Sequence, residues 1–161
     1  MSRSQRAYIG LGANLGDARA TLRTVLDQLS AAPGIVTCRV SHFYRTAPVD
    51  AAGPDYINAV AALDTTLAPL ALLDLLQALE RQHGRQRPYR NAPRTLDLDL
   101  LLHGDIEMDT ARLILPHPRL HQRAFVLAPL YELTPGLMLS QGSPADLLAA
   151  LSDQSIERLE D

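Results

Sequence analysis

At 161 residues, 47% apolar and 20% charged, the chain has the length and composition of one soluble domain (1–161) with a sizeable core. Its net charge of −3 argues against a general nucleic-acid binder, and its 15 basic residues are all arginine, so a Walker A phosphate loop, which needs a lysine, is excluded. Cys38 is the only cysteine, no signal-peptide core opens the chain, and no apolar run nears the roughly 20 residues of a membrane span, so the expectation is a cytoplasmic enzyme or binding module without membrane partners.

The chain opens with a short apolar run, Ala7 to Leu11, read as the first strand. Gly12 to Asp17 follows as a strand-to-helix turn, since the spacing G-x-G-x-x-x-G is not that of a dinucleotide site. Asp17 is a candidate N-cap, and Leu22, Val25, Leu26 and Leu29 form one helical stripe that Pro33-Gly34 ends. Ile35 to Tyr44 is predicted as a second strand with Val36, Cys38 and Val40 in alternation. Arg45 to Pro54 is too polar and too punctuated for regular structure. Tyr56 to Leu63 is a third strand, with Ile57, Ala59, Ala61 and Leu63 on one face and Tyr56 beside Asn58 on the other. A ring beside an amide suits a flat heterocycle, and equally an exposed strand edge.

Pro69 starts a second helix whose buried face is Leu72, Leu73, Leu76 and Leu79, with Gly84 as a C-cap candidate. Glu80 lies near its C-terminal end, where the helix dipole opposes it. Arg81, Arg85, Arg87, Arg90 and Arg94 then precede a strand in which Leu96, Leu98 and Leu100 alternate with Thr95, Asp97 and Asp99. Asp97 and Asp99 would stand roughly 6.5 Å apart along one face. A divalent cation such as Mg²⁺ relieves their repulsion, and guanidinium groups bind phosphate oxygens, so the stretch points to phosphoryl transfer. By themselves these residues fit a solvated strand face beside a solvated loop as well. Leu113 to Leu115 is a short strand, and His117 is held between two prolines. Arg119 to Leu133 is predicted helical, Ser143-Pro144 opens a last short helix, and Ser152 to Asp161 is a charged tail expected to pack loosely. Strand, helix, strand, strand, helix, strand is the order of a ferredoxin-like α+β sandwich with an antiparallel sheet.

Four blocks carry a resemblance: Gly10 to Gly16; Phe43-Tyr44-Arg45-Thr46 with Pro54 to Asn58; Arg90-x-Ala92-Pro93-Arg94-x-x-Asp97-Leu98-Asp99-Leu100-Leu101; and Leu115 to Pro118 with Arg123-Ala124-Phe125. With these the chain, from Tyr8 to about Leu133, resembles the 6-hydroxymethyl-7,8-dihydropterin pyrophosphokinases of folate biosynthesis. The resemblance implies transfer of the β,γ-pyrophosphoryl unit of ATP to the pterin hydroxymethyl group, with release of AMP. It places two Mg²⁺ ions on Asp97 and Asp99. It puts Arg85 and Arg94 on the phosphates, helped by Arg112, His117 and Arg123, with Gln77 and Glu80 near the nucleoside. Thr46, Val49, Tyr56, Asn58 and Phe125 would form the pterin pocket, in a protein expected to be monomeric.

The chain departs from its relatives at Asn91, where many carry tryptophan, and at Pro88, where a basic residue can occur. The loops after Thr46 and around the arginines are each about one residue shorter than in some relatives. Two other classes remain compatible with the residues alone. One is a ferredoxin-like module that binds a small effector without chemistry; the other is a different Mg²⁺-dependent transferase.

Overall fold

The computed structural model describes residues 3–14, 17–46, 55–83 and 96–160. Strand β1 runs Gln5–Ala13, past the expected end at Leu11, because Gly12 and Ala13 pair with Asn58 and Ile57. Asp17 caps helix α1, Ala18–Ala31, its Oδ1 accepting from the Ala20 N–H at 3.1 Å. Leu22, Val25, Leu26 and Leu29 are its buried stripe, as their spacing predicts.

The expected second strand is two strands. β2, Ile35–Val40, and β3, Tyr44–Thr46, both pair with β4, Tyr56–Thr65. Val40 lies opposite Ala61 and Tyr44 opposite Asn58, so four steps on one side (40 to 44) face three on the other (61 to 58). The extra residue makes a bulge. Ser41 fills it: its N–H donates to the Val60 carbonyl at 2.9 Å, and its hydroxyl accepts from the Val60 N–H at 3.1 Å. Val36 and Val40, read from alternation as one face, are exposed.

Helix α2, Pro69–Gln82, buries Leu72, Leu73, Leu76 and Leu79 as predicted. Strand β5, Asp97–His103, pairs with β1, and a hairpin of β6, Met108–Asp109, and β7, Ile114–Leu115, follows. The helix predicted over Arg119 to Leu133 is broken. A 3-10 turn, Leu120–Gln122, and helix α3, Ala124–Leu133, are separated by Arg123 in an extended conformation, φ −123° and ψ 111°. Helix α4, Pro144–Ala149, is capped by the Ser143 hydroxyl, which accepts from the Asp146 N–H at 3.2 Å. The tail is not loosely packed. Strand β8, Glu157–Arg158, pairs with β3, and Leu159 is buried while its N–H donates to the Phe43 carbonyl at 2.8 Å.

One antiparallel sheet, ordered β5-β1-β4-β3-β8 with β2 also on β4, carries helices on both faces, the expected ferredoxin-like α+β arrangement. Ile9, Leu11, Ala59, Ala61, Leu98 and Leu100 face α1 and α2 in the larger core. Tyr8, Val60, Ala62 and Leu101 face Leu127 and Leu130 of α3 in the smaller one, which the α4 leucines also reach. By strand alternation Gly10 and Gly12, Asn58, and Asp97 and Asp99 belong to that second face too, beyond the end that α3 covers. Among the described residues, no helix is long and apolar enough to cross a membrane.

Candidate active site

The end of the second face beyond α3 is the floor of a cavity of about 850 Å³. Register fixes how its polar groups are spaced. Asn58 on β4, Gly12 on β1 and Asp97 on β5 lie in one row; Val60, Gly10 and Asp99 lie in the next. Two inter-strand spacings, about 10 Å, thus separate the Asn58 backbone from that of Asp97. The glycines between them keep the floor low. A Cβ on Gly12 would come within 3.0 Å of the Asn58 Oδ1, so any larger residue would push into the amide.

Asn58 is buried, and its Nδ2 donates to the Thr46 hydroxyl at 2.8 Å. That bond sets which way the amide points, so the oxygen is directed away from Thr46 and toward Gly12. Thr46, Tyr56 and Phe125 line the same cavity, joined by Arg123. The Arg123 guanidinium stands 5.6 Å from the centroid of the Phe125 ring, a cation–π contact that ties this cation to the aromatic wall. The expected pterin and metal residues Thr46, Tyr56, Asn58, Asp97, Asp99 and Phe125 are therefore brought together; Val49 lies outside the described residues.

His117 stands beside this group. Its backbone N–H donates to the Leu101 carbonyl at 2.9 Å, which ties it to β5 two residues past Asp99. Its Nδ1 accepts from the Arg119 N–H at 3.1 Å, so in the neutral ring Nε2 carries the proton. Burial lowers the His117 pKa; the charge of Asp99 opposes this, and Arg123 and Arg119 reinforce it. The net shift is downward, and the ring at neutral pH is an uncharged donor through Nε2.

Gln77, Glu80 and Arg112 are not on the cavity surface. Arg112 Nη2 donates to Asp74 Oδ1 at 2.6 Å and to Gln77 Oε1 at 3.2 Å, so two of the expected ATP residues meet on the exposed side of α2. Glu80 is buried, and its Oε2 accepts from the Leu98 N–H at 3.0 Å. This explains an acidic group near the end of a helix: it satisfies an outward-facing backbone donor of the edge strand β5, between the two aspartates. Arg85 and Arg94 lie outside the described residues.

Several lining residues were not singled out from the sequence as ligand groups: Gly10 and Gly12, Arg119 and Gln122, and the tail from Asp153 to Ile156. The two glycines form a G-x-G pair in the sequence, but there Gly10 reads as part of the first strand and Gly12 as the start of a turn. Nothing local marks the tail, because its placement depends on pairing with β3.

Asp97 and Asp99 supply hard oxygen donors at alternate positions of one strand. Among the described residues no group of three or more His, Cys, Asp or Glu side chains could hold a metal. Such a donor set fits Mg²⁺, which takes one or two carboxylates and completes its shell with phosphate oxygens and water. It does not fit a closed zinc site, which needs four protein ligands.

A family model described as 7,8-dihydro-6-hydroxymethylpterin-pyrophosphokinase matches residues 8–135. The chain is 47% identical over 157 residues to the 2-amino-4-hydroxy-6-hydroxymethyldihydropteridine pyrophosphokinase of Pseudomonas aeruginosa, covering 96% of this chain and 97% of that one. It is 40% identical over 156 residues to the protein of the same name from Methylorubrum extorquens, covering 96% and 99%. Among solved structures, an HPPK-DHPS in complex with substrates matches with a TM-score of 0.74 at 12% identity over 95% of this chain. Wild-type Plasmodium falciparum HPPK-DHPS with SDX-DHP matches with a TM-score of 0.75 at 13% identity. This chain spans 44% and 45% of those two longer chains, and at such identity the likeness concerns the fold alone.

Proposed function

The chain belongs to the 7,8-dihydro-6-hydroxymethylpterin-pyrophosphokinase family, and from that premise we propose which residues of the cavity serve each part of the reaction. The reaction is transfer of pyrophosphate from ATP to 6-hydroxymethyl-7,8-dihydropterin in folate biosynthesis. The pterin alcohol oxygen bonds to the β-phosphorus of ATP, the bond from that phosphorus to the α,β-bridging oxygen breaks, the alcohol proton is released to water, and AMP leaves. The substrate supplies its own nucleophile, so the protein's part is positioning and charge stabilisation.

Tyr56 and Phe125 stack on the two faces of the pterin, and Asn58 reads its polar edge with an amide oriented by Thr46. Val49 borders the same ring. Asp97 and Asp99 hold two Mg²⁺ ions, which when bound offset the charge of the triphosphate. Arg85, Arg94 and Arg123 hold the phosphates, and His117 donates to them through Nε2. Gln77 lies near the nucleoside, and Arg112, in contact with it, helps hold the phosphates. Glu80 holds β5 in place near the nucleoside. The state and compartment proposed for the protein are a monomer in the cytoplasm.

The observation that carries this reading is that one cavity holds the carboxylate pair, the amide–hydroxyl pair, the ring and the guanidinium together. The test is the product. Incubation with ATP, Mg²⁺ and the pterin should yield AMP and the pterin diphosphate, and the Asp97→Asn and Asp99→Asn variants should not. ADP as the nucleotide product would overturn the reading.

A further inference from the structure

Helix α3 begins with a hydrogen-bond problem. The first backbone N–H groups of a helix have no partner within it, and a Ser, Thr, Asp or Asn at the N-cap normally supplies one. Here the N-cap is Arg123, whose side chain has donors only and makes no capping bond. The partner comes from the tail. Gln154 Oε1 accepts from the Ala124 N–H at 2.9 Å, and Gln154 Nε2 donates to the Gln122 carbonyl at 3.0 Å. One amide thereby brackets Arg123 on both sides, at the point where the 3-10 turn ends and α3 begins.

The bracket is itself anchored. The Gln154 N–H donates to the Leu151 carbonyl at 2.9 Å, β8 pairs with Tyr44 and Arg45 on β3, and Leu159 is buried. Asp153 to Ile156 line the cavity between these two anchors. The family match ends at residue 135, so this contribution comes from beyond it.

We infer that Gln154 is a positioning residue for pyrophosphoryl transfer. By capping α3 from a distance, it allows position 123 to carry an arginine instead of a capping side chain. It holds the 122–124 backbone so that the Arg123 guanidinium faces the cavity. The inference rests on the assignment of Arg123 made above.

A double-mutant cycle tests it, with kcat and KM for both substrates measured on wild type, Gln154→Met, Arg123→Ala and the double variant. Met matches Gln in length and removes both hydrogen bonds. Gln154→Met should lower kcat/KM about tenfold. The double variant should match Arg123→Ala within about twofold, because Gln154 acts through Arg123. A residue that only stabilised the fold would give effects that multiply. If Gln154→Met does not fold, Gln154→Glu, which keeps the acceptor for Ala124 and loses the donor to Gln122, carries the same cycle. Wild-type kinetics for the Gln154 variant, or multiplying losses, would overturn the inference while leaving the assignment of Arg123 intact. Wild-type kinetics for Arg123→Ala would remove that assignment, and the inference with it.

Discussion

The two faces of the sheet are built from alternate residues of the same three strands, and they are used differently. The face toward α1 and α2 is apolar along its length, with Ile9 and Leu11, Ala59 and Ala61, and Leu98 and Leu100 all buried. The opposite face is divided. Tyr8, Val60, Ala62 and Leu101 pack under α3, and a few residues further along the same strands Gly12, Asn58, Asp97 and Asp99 line the cavity. One face is filled without interruption, and the other is shared between the α3 core and the cavity. Hydrogen bonds to Thr46, Glu80 and Gln154 hold the Asn58 amide, the Leu98 N–H and the Ala124 N–H around the cavity.

The comparison predicts that mutations on the two faces separate cleanly into activity and stability. The largest effect is on the carboxylates. Asp97→Ala or Asp99→Ala should lower kcat by about 10³-fold, the scale of losing one charge-stabilising group, while the folded structure is retained. Either variant retaining near-normal turnover at saturating Mg²⁺ would break the distinction.

On the apolar face, Leu72→Ala should do the reverse. Leu72 is fully buried, and its truncation should cost about 2–5 kcal/mol in denaturant unfolding while kcat/KM of the folded fraction stays close to wild type. Loss of activity without loss of stability at this position would contradict the division.

Asn58→Ala lies on the divided face and should be selective between ligands. A lost hydrogen bond to a buried group should weaken pterin binding roughly ten- to a hundredfold in calorimetry, with binding of an ATP analogue nearly unchanged. Equal weakening of both would place Asn58 in the support rather than in the pterin contact.

The smallest effect concerns Glu132, which joins α3 to the other wall. Its carboxylate accepts from the Tyr44 hydroxyl at 2.7 Å and from the His42 backbone N–H at 2.9 Å. Burial alone would raise its pKa, but these bonds and the His42 ring outweigh burial and leave it lowered. The same contact and burial push the Tyr44 hydroxyl far up. A carboxylate lowered in the folded state stabilises fully above the ordinary value of about 4.3, and that contribution is lost as pH falls through the lowered value. Glu132→Gln should therefore cost about 1 kcal/mol at pH 7 and nothing in strong acid, with a shallower acid limb. A constant difference from pH 2 to 7 would rule out the charge as the cause.

What the sequence determined by itself is what depends on near neighbours. The helical stripes Leu22 to Leu29 and Leu72 to Leu79, the caps at Asp17 and Ser143, and the alternation that sets Asp97 and Asp99 opposite Leu98 are properties of a few consecutive residues. The family blocks are likewise short and local, and with them Thr46, Tyr56, Asn58, Asp97, Asp99, Arg123 and Phe125 of the cavity could be named in advance. The tertiary structure decided the rest. Ser41 splits a strand because Val60, nineteen residues on, offers it a donor and an acceptor. Glu80 became a support for β5, and Gly12 part of a floor, only once β5, β1 and β4 lay side by side. The tail reads as a charged run, yet Gln154 caps a helix thirty residues earlier and Leu159 enters the core. Backbone donors and acceptors carry no sequence label, so a side chain that satisfies one from a distance cannot be recognised until the fold brings the two within 3 Å.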